Sequence, residues 1–188
     1  MSTSSALLIC VIFYLVVGQE STFGGWVPTY AVLEKISTKE QATSYGTIYW
    51  IGITVFRFII PFTPGSNSQK LKTLCLFGVF STIVSLVLIH KVDEVGGVIV
   101  SAILYGISMS VLFALTYTLC KEFNMRPKPS QGSDFMLSVA LGDGTIVWFV
   151  GYLIKTFGPD SLFYSMGIFS LLAWLLTVVV VRKLLRES

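Results

Sequence analysis

Six long apolar runs, separated by short segments rich in charges, glycine and proline, organise the chain. They cover residues 5–33, 42–62, 71–89, 96–120, 133–156 and 161–181. Each approaches or exceeds the roughly 20 mostly apolar residues that a helix needs to cross a hydrocarbon core of about 30 Å. The spacers, 34–41, 63–70, 90–95, 121–132 and 157–160, carry the turn formers and charges expected where helices break. The predicted fold is an all-α membrane protein, a single bundle of six transmembrane helices over residues 1–188 connected as successive hairpins.

Composition strengthens this reading. Hydrophobic residues make up 54% of the 188 and charged residues 12%, and the mean hydropathy is +0.79. Soluble domains have roughly 45–50% apolar and 25% charged residues, so this chain takes the lipid bilayer as its solvent and leaves no room for a soluble domain. The net charge of +3 is small and its bases are scattered at span ends, which excludes nucleic acid as a partner. Cys10, Cys75 and Cys120 lie within or at the end of apolar runs without metal-ligand spacing and read as small buried hydrophobes. Met1 to Ser5 carries no Lys or Arg and the first apolar run continues past Gly18, the pattern of a retained span and not of a signal peptide. There is no phosphate-cradling loop, nucleophile elbow or set of paired metal ligands. Enzyme activity, catalytic residues, a metal site and a cofactor are therefore not expected.

Orientation follows from the bases. One side holds both termini with Lys70, Lys72, Lys121, Arg126, Lys128, Arg182, Lys183 and Arg186, while the other holds Lys35, Lys39, Lys91 and Lys155. The richer side is cytoplasmic under the positive-inside rule, which predicts both termini in the cytoplasm, with the plasma membrane as the expected location.

The spans differ in polarity. The third and sixth have no ionisable side chain in their interiors and are expected to face lipid, whereas the first, second and fifth hold Glu20, Arg57 and Asp143. An ion at mid-membrane costs from about 2.5 to more than 10 kcal/mol, so such residues face a cavity or a partner. At about 1.5 Å per residue, Glu20 lies roughly 22 Å and Asp143 roughly 15 Å from the cytoplasmic end of their spans, and Arg57 only about 8 Å. These depths argue against a Glu20–Arg57 pair and favour Asp143, or Asp134 at the start of the fifth span, as partner of the arginine. Glu20 is then left without a counter-ion and becomes the candidate coupling-ion residue for Na+ or H+. The alternative is a structural, hydrogen-bonded acid.

Around Glu20 the first span reads Gly18 to Tyr30 with Gly24, Gly25 and Pro28 at mid-to-outer depth. That composition invites a bent or broken helix, tolerated where freed backbone groups line a cavity or meet protein. Gln19 and Tyr30 supply hydrogen-bonding groups and Trp26 an apolar plate, a combination suited to a hexose-like solute. Glycine-mediated helix packing with Trp26 and Tyr30 in the interfacial belt is the competing reading. Tyr49, Tyr105 and Trp148 are further candidates to line a cavity, with core or belt packing as their alternative.

The run Gly18-Gln19-Glu20-Ser21-Thr22-Phe23-Gly24-Gly25-Trp26-Val27-Pro28-Thr29-Tyr30-Ala31-Val32 resembles the seventh helix of the major facilitator superfamily, most closely its fucose permease and sodium-dependent glucose transporter branch. Arg57 and the residues Phe58 through Lys72 look like the start and cytoplasmic loop of the eighth helix, and Ala140-Leu141-Gly142-Asp143 looks like the small-x-G-acid turn of the eleventh. The loop keeps bases but lacks the acidic residue of the superfamily signature, and Asp143 stands where a glutamate is expected. The resemblance implies a carboxy-terminal six-helix half built from a 3+3 inverted repeat, with Arg57 and Asp143 on equivalent second helices. It implies sugar transport by symport, with Gln19, Trp26, Tyr30, Tyr49, Tyr105, Asp143 and Trp148 toward the substrate. Glu20 would couple the ion, and Arg57, Asp134 and Lys70 would form a gate network. Members of that family have twelve helices, so the expected partner is an amino-terminal six-helix half or another membrane subunit. A non-transporting structural subunit derived from a transporter is the second expectation.

Overall fold

The protein is described by a computed structural model covering residues 3–62, 67–91, 95–122 and 129–187. Six α-helices follow one another: α1 (Thr3–Leu33), α2 (Lys39–Ile59), α3 (Asn67–Lys91), α4 (Val95–Glu122), α5 (Pro129–Phe157) and α6 (Ser161–Glu187), with a 3-10 turn at Ile60–Phe62 after α2. No strand occurs among the described residues. Five of the helices, all but α3, are long and apolar enough to cross a membrane. In α3 the corresponding apolar stretch among the described residues is Leu74–Val87. The chain is thus a multi-pass membrane protein by the length and composition of its helices.

Local chemistry sets the helix ends. Lys35 takes a left-handed backbone (φ 59°), and the Ile36 and Lys35 amides bond the Ala31 and Val32 carbonyls at 3.0 and 3.1 Å. These are the paired bonds of a Schellman cap, which satisfy carbonyls left over at the end of α1. Thr38 then caps α2, its hydroxyl accepting from the Gln41 amide at 3.4 Å. Gly158 (φ 95°) ends α5 in the same left-handed region, where glycine has no Cβ to clash.

Helices α1 and α4 form the centre. Their apolar windows are 61% and 67% buried, against 33% for α2 and 22% for α5. Helix α1 packs on α5, α2, α6 and α4, while α3 packs on α4 and α6. The closest approaches use glycine in place of a side chain. A Cβ on Gly142 of α5 would collide with the Tyr14 backbone carbonyl of α1, and one on Gly106 of α4 would lie 2.8 Å from the Tyr49 carbonyl of α2.

Helices α3 and α6 expose apolar stripes, Leu76, Phe80, Ile83 and Val87 on one and Ile168, Leu171, Leu175 and Val179 on the other. Helices α2 and α5 are nevertheless covered least. Their outward faces carry Trp50, Val55 and Phe58, and Leu141, Trp148 and Tyr152, flanking a half-exposed strip of α1 through Tyr14, Ser21 and Gly25. The expected bend in α1 is not a break: the helix is continuous through Pro28. Proline removes the amide that would bond the Gly24 carbonyl, and that carbonyl lies against Gly46 of α2, 3.2 Å from where a Cβ would stand.

Candidate functional site

Two charged side chains meet inside the bundle. Arg57 Nη2 of α2 donates to Glu20 Oε2 of α1 at 2.6 Å. The Glu20 side chain is 8% exposed and that of Arg57 36%, so the acid is interior and the base reaches the surface.

This corrects the expected pairing, in which Arg57 belonged to Asp143 or Asp134 and Glu20 had no counter-ion. Axial depth treats each residue as a point on its helix, yet Cα–Cβ bonds tilt toward the helix N-terminus. In an antiparallel hairpin the two side chains therefore lean in opposite directions. Glu20 leans toward the start of α1 and Arg57 toward the start of α2, which brings them together. Counted from the turn that joins α1 (ending at Leu33) to α2 (starting at Lys39), the axial offset is only about 7 Å at 1.5 Å per residue, half of what the expected span ends imply, and is within the reach of a guanidinium and a carboxylate. Asp143 and Asp134 are exposed on α5. The side chain of Lys70, the third member of the expected gate network, lies outside the described residues.

The pair is embedded in aromatic rings. Arg57 sits over the Phe113 ring of α4, 4.5 Å from guanidinium carbon to ring centroid. Phe113 meets Phe13 of α1 edge-on at 6.1 Å, and Phe13 meets Phe135 of α5 at 5.8 Å. One layer thus draws on α1, α2, α4 and α5. The Arg57 Nε is buried without a hydrogen-bond partner.

Toward the other end of the bundle a neutral polar network adjoins the pair. The Tyr49 hydroxyl donates to the Glu20 backbone carbonyl at 3.1 Å. Gln19 Oε1 accepts from Ser170 Oγ at 2.7 Å and from the Tyr105 hydroxyl at 3.2 Å, while its Nε2 donates to the Leu15 carbonyl at 2.9 Å. Phe23 stacks on Tyr105 at 4.2 Å and packs on Tyr49 at 5.1 Å. Gln19, Tyr49 and Tyr105 are fully buried, so every hydrogen bond they make here is one that water does not replace.

The remaining candidates lie apart from this cluster. Trp26 donates from Nε1 to the Val147 carbonyl at 3.2 Å and covers Gly151, locking α1 to α5. Tyr30 is buried against Phe163 of α6, ring edge to face at 4.5 Å. Trp148 is 72% exposed and stacks near-parallel on Tyr152 at 6.3 Å. Asp143, five and nine residues earlier on α5, is exposed on a different side of that helix. The groove between α3 and α6, lined by Leu86, Phe163, Gly167 and Leu171, is apolar and shares no residue with the charged site.

Sequence reasoning missed Phe113, Phe13, Phe135 and Ser170. The phenylalanines carry no signal among so many apolar residues. Ser170 had one, a small hydroxyl in an otherwise greasy span, but only the fold brings it to Gln19. Among the described residues no three His, Cys, Asp or Glu side chains cluster as a metal would need. Comparison with known proteins finds no matching family model, curated protein or solved structure. The function must be argued from the ion pair and its surroundings.

Proposed function

We propose that this chain is half of a secondary active transporter for a sugar or similar small polar solute, a carboxy-terminal six-helix unit of the major facilitator kind. An amino-terminal six-helix half would cover the face made by α2, α1 and α5, and transport would proceed by rocking of the two halves. Both termini would be cytoplasmic, in the plasma membrane.

The single observation that carries this reading is the Glu20–Arg57 pair, a sealed carboxylate bound to a cation that opens outward. A buried ion pair is a poor way to stabilise a bundle, because desolvation offsets most of the Coulombic gain. Its presence at membrane depth instead marks a pathway or relay. Neutralising the carboxylate removes the charge that binds the guanidinium, so binding of one small cation loosens the contact between α1 and α2. A proton does this directly, whereas sodium must displace a bound guanidinium; the geometry favours H+ over Na+. The exposed and stacked Trp148 and Tyr152 offer the aromatic plates that a polyhydroxylated ring uses, and Gln19, Tyr49 and Tyr105 would support the bundle behind them.

Hexose binding to the chain assembled with its partner half tests the reading. Saturable binding supports a carrier, and its complete absence excludes one. The second reading, a structural membrane subunit without transport, is favoured by one observation: Gln19, Tyr49 and Tyr105 are fully buried and hydrogen-bond to protein groups.

A further inference from the structure

Arg57 has two partners of different kinds at once. On one side stands the Glu20 carboxylate at 2.6 Å, and on the other the Phe113 ring at 4.5 Å from the guanidinium carbon. The ring face is negative and attracts a cation, more strongly when both are shielded from water. Phe113 is itself held by Phe13, which is backed by Phe135. The aromatic seat is therefore a packed feature of three helices and does not depend on the carboxylate. Arg57 Nε is already buried without an acceptor, so the guanidinium is not fully bound by hydrogen bonds even while the ion pair is closed.

We propose that Phe113 is a positioning residue that retains Arg57 when Glu20 becomes neutral. With the carboxylate charged, the guanidinium is shared between acid and ring. With the carboxylate neutral, the ring holds the cation in place, sparing it an unpaired position at membrane depth and leaving it poised to re-form the pair. Opening of the pair is then a small, reversible shift of one guanidinium instead of an expulsion of Arg57 from the bundle. The inference deepens the transport reading, in which Glu20 alternates between charged and neutral states, but its test does not depend on transport.

A double-mutant cycle on thermal unfolding of the purified chain provides that test. Glu20→Met removes the carboxylate and Phe113→Leu removes the ring while keeping an apolar side chain. Each single variant leaves Arg57 one partner, and the double variant leaves none. The double variant is expected to melt about 4 °C below the sum of the single shifts. Phe113→Tyr, which keeps the aromatic face, should show no such excess, and neither should Phe113→Leu when Arg57 is also replaced by Met. Should Phe113→Leu fail to fold, Phe113→Met serves in the same cycle. Strict additivity, or an excess that persists without Arg57, would overturn the proposal. Loss of hexose binding alongside a coupled cycle would sink the transport reading and leave the aromatic seat intact; an additive cycle alongside normal binding would do the reverse.

Discussion

Two polar clusters flank α4, and they are built on opposite principles. Toward α3 and α6, Ser85 Oγ donates to the Ser101 carbonyl at 2.8 Å and Ser101 Oγ returns a bond to the Ser85 carbonyl at 2.9 Å. Two turns along, Thr82 and Ser108 are hydrogen-bonded to each other, and Trp174 Nε1 reaches the Thr82 hydroxyl at 3.1 Å. All of these groups are neutral and hydrogen-bonded, and all but Trp174 are small. Toward α1 and α2 stand a charge pair, an unpartnered Arg57 Nε and large aromatic rings. Hydroxyls placed back to back let helices approach and add little energy each. A sealed charge pair costs desolvation that offsets most of its Coulombic gain. One side of α4 is thus held by neutral hydroxyls, and the other carries the charge pair on which the proposed transport rests.

Substitutions should separate the sides. Arg57→Ala strands a carboxylate in the interior and is expected to destabilise the bundle most, by about 3 kcal/mol, read as the shift of thermal unfolding in detergent. Glu20→Met should cost less, because the partly exposed Arg57 can extend its head toward polar surroundings and Phe113 still receives it. A reversed order would mean that the acid is the better solvated partner. Gly142→Ala drives a methyl into the Tyr14 carbonyl, so α1 and α5 must part, at about 2 kcal/mol. On the neutral side, Ser101→Ala removes a reciprocal bond and should cost only about 0.6 kcal/mol. A cost several times larger would show that the hydroxyl ladder does more than adhere. Gly25, by contrast, has nothing within 4 Å of an added Cβ. Gly25→Ala should therefore raise stability by about 0.5 kcal/mol through helix propensity alone.

Much of the fold could be read from the chain because lipid imposes length and apolarity on each helix separately. The apolar run 96–120 corresponds to α4 at Val95–Glu122, and 133–156 to α5, which starts earlier at Pro129, a residue suited to the first turn of a helix. The charged residues of the site were equally visible, since Glu20 and Arg57 stand out in apolar surroundings. Their pairing was not. It depends on the lean of side chains along an antiparallel hairpin, which a count of residues from the membrane face does not contain. Helix α6 shows the complementary gap. Its lack of ionisable residues pointed to a lipid-facing role, and one face is indeed exposed, yet Ser165, Ser170 and Thr177 on the other are buried. Ser170 bonds Gln19 across 151 positions of sequence, a contact no local pattern encodes.

Ion-driven uptake by the complete assembly, compared between the native chain and Glu20→Gln, tests the central claim most directly. The amide keeps the shape of the acid and cannot cycle between charged and neutral. The expected outcome is that the native assembly accumulates solute against its gradient when an ion gradient is imposed, while the Glu20→Gln assembly only equilibrates it. Equal accumulation by both would show that the carboxylate held by Arg57 carries no coupling ion.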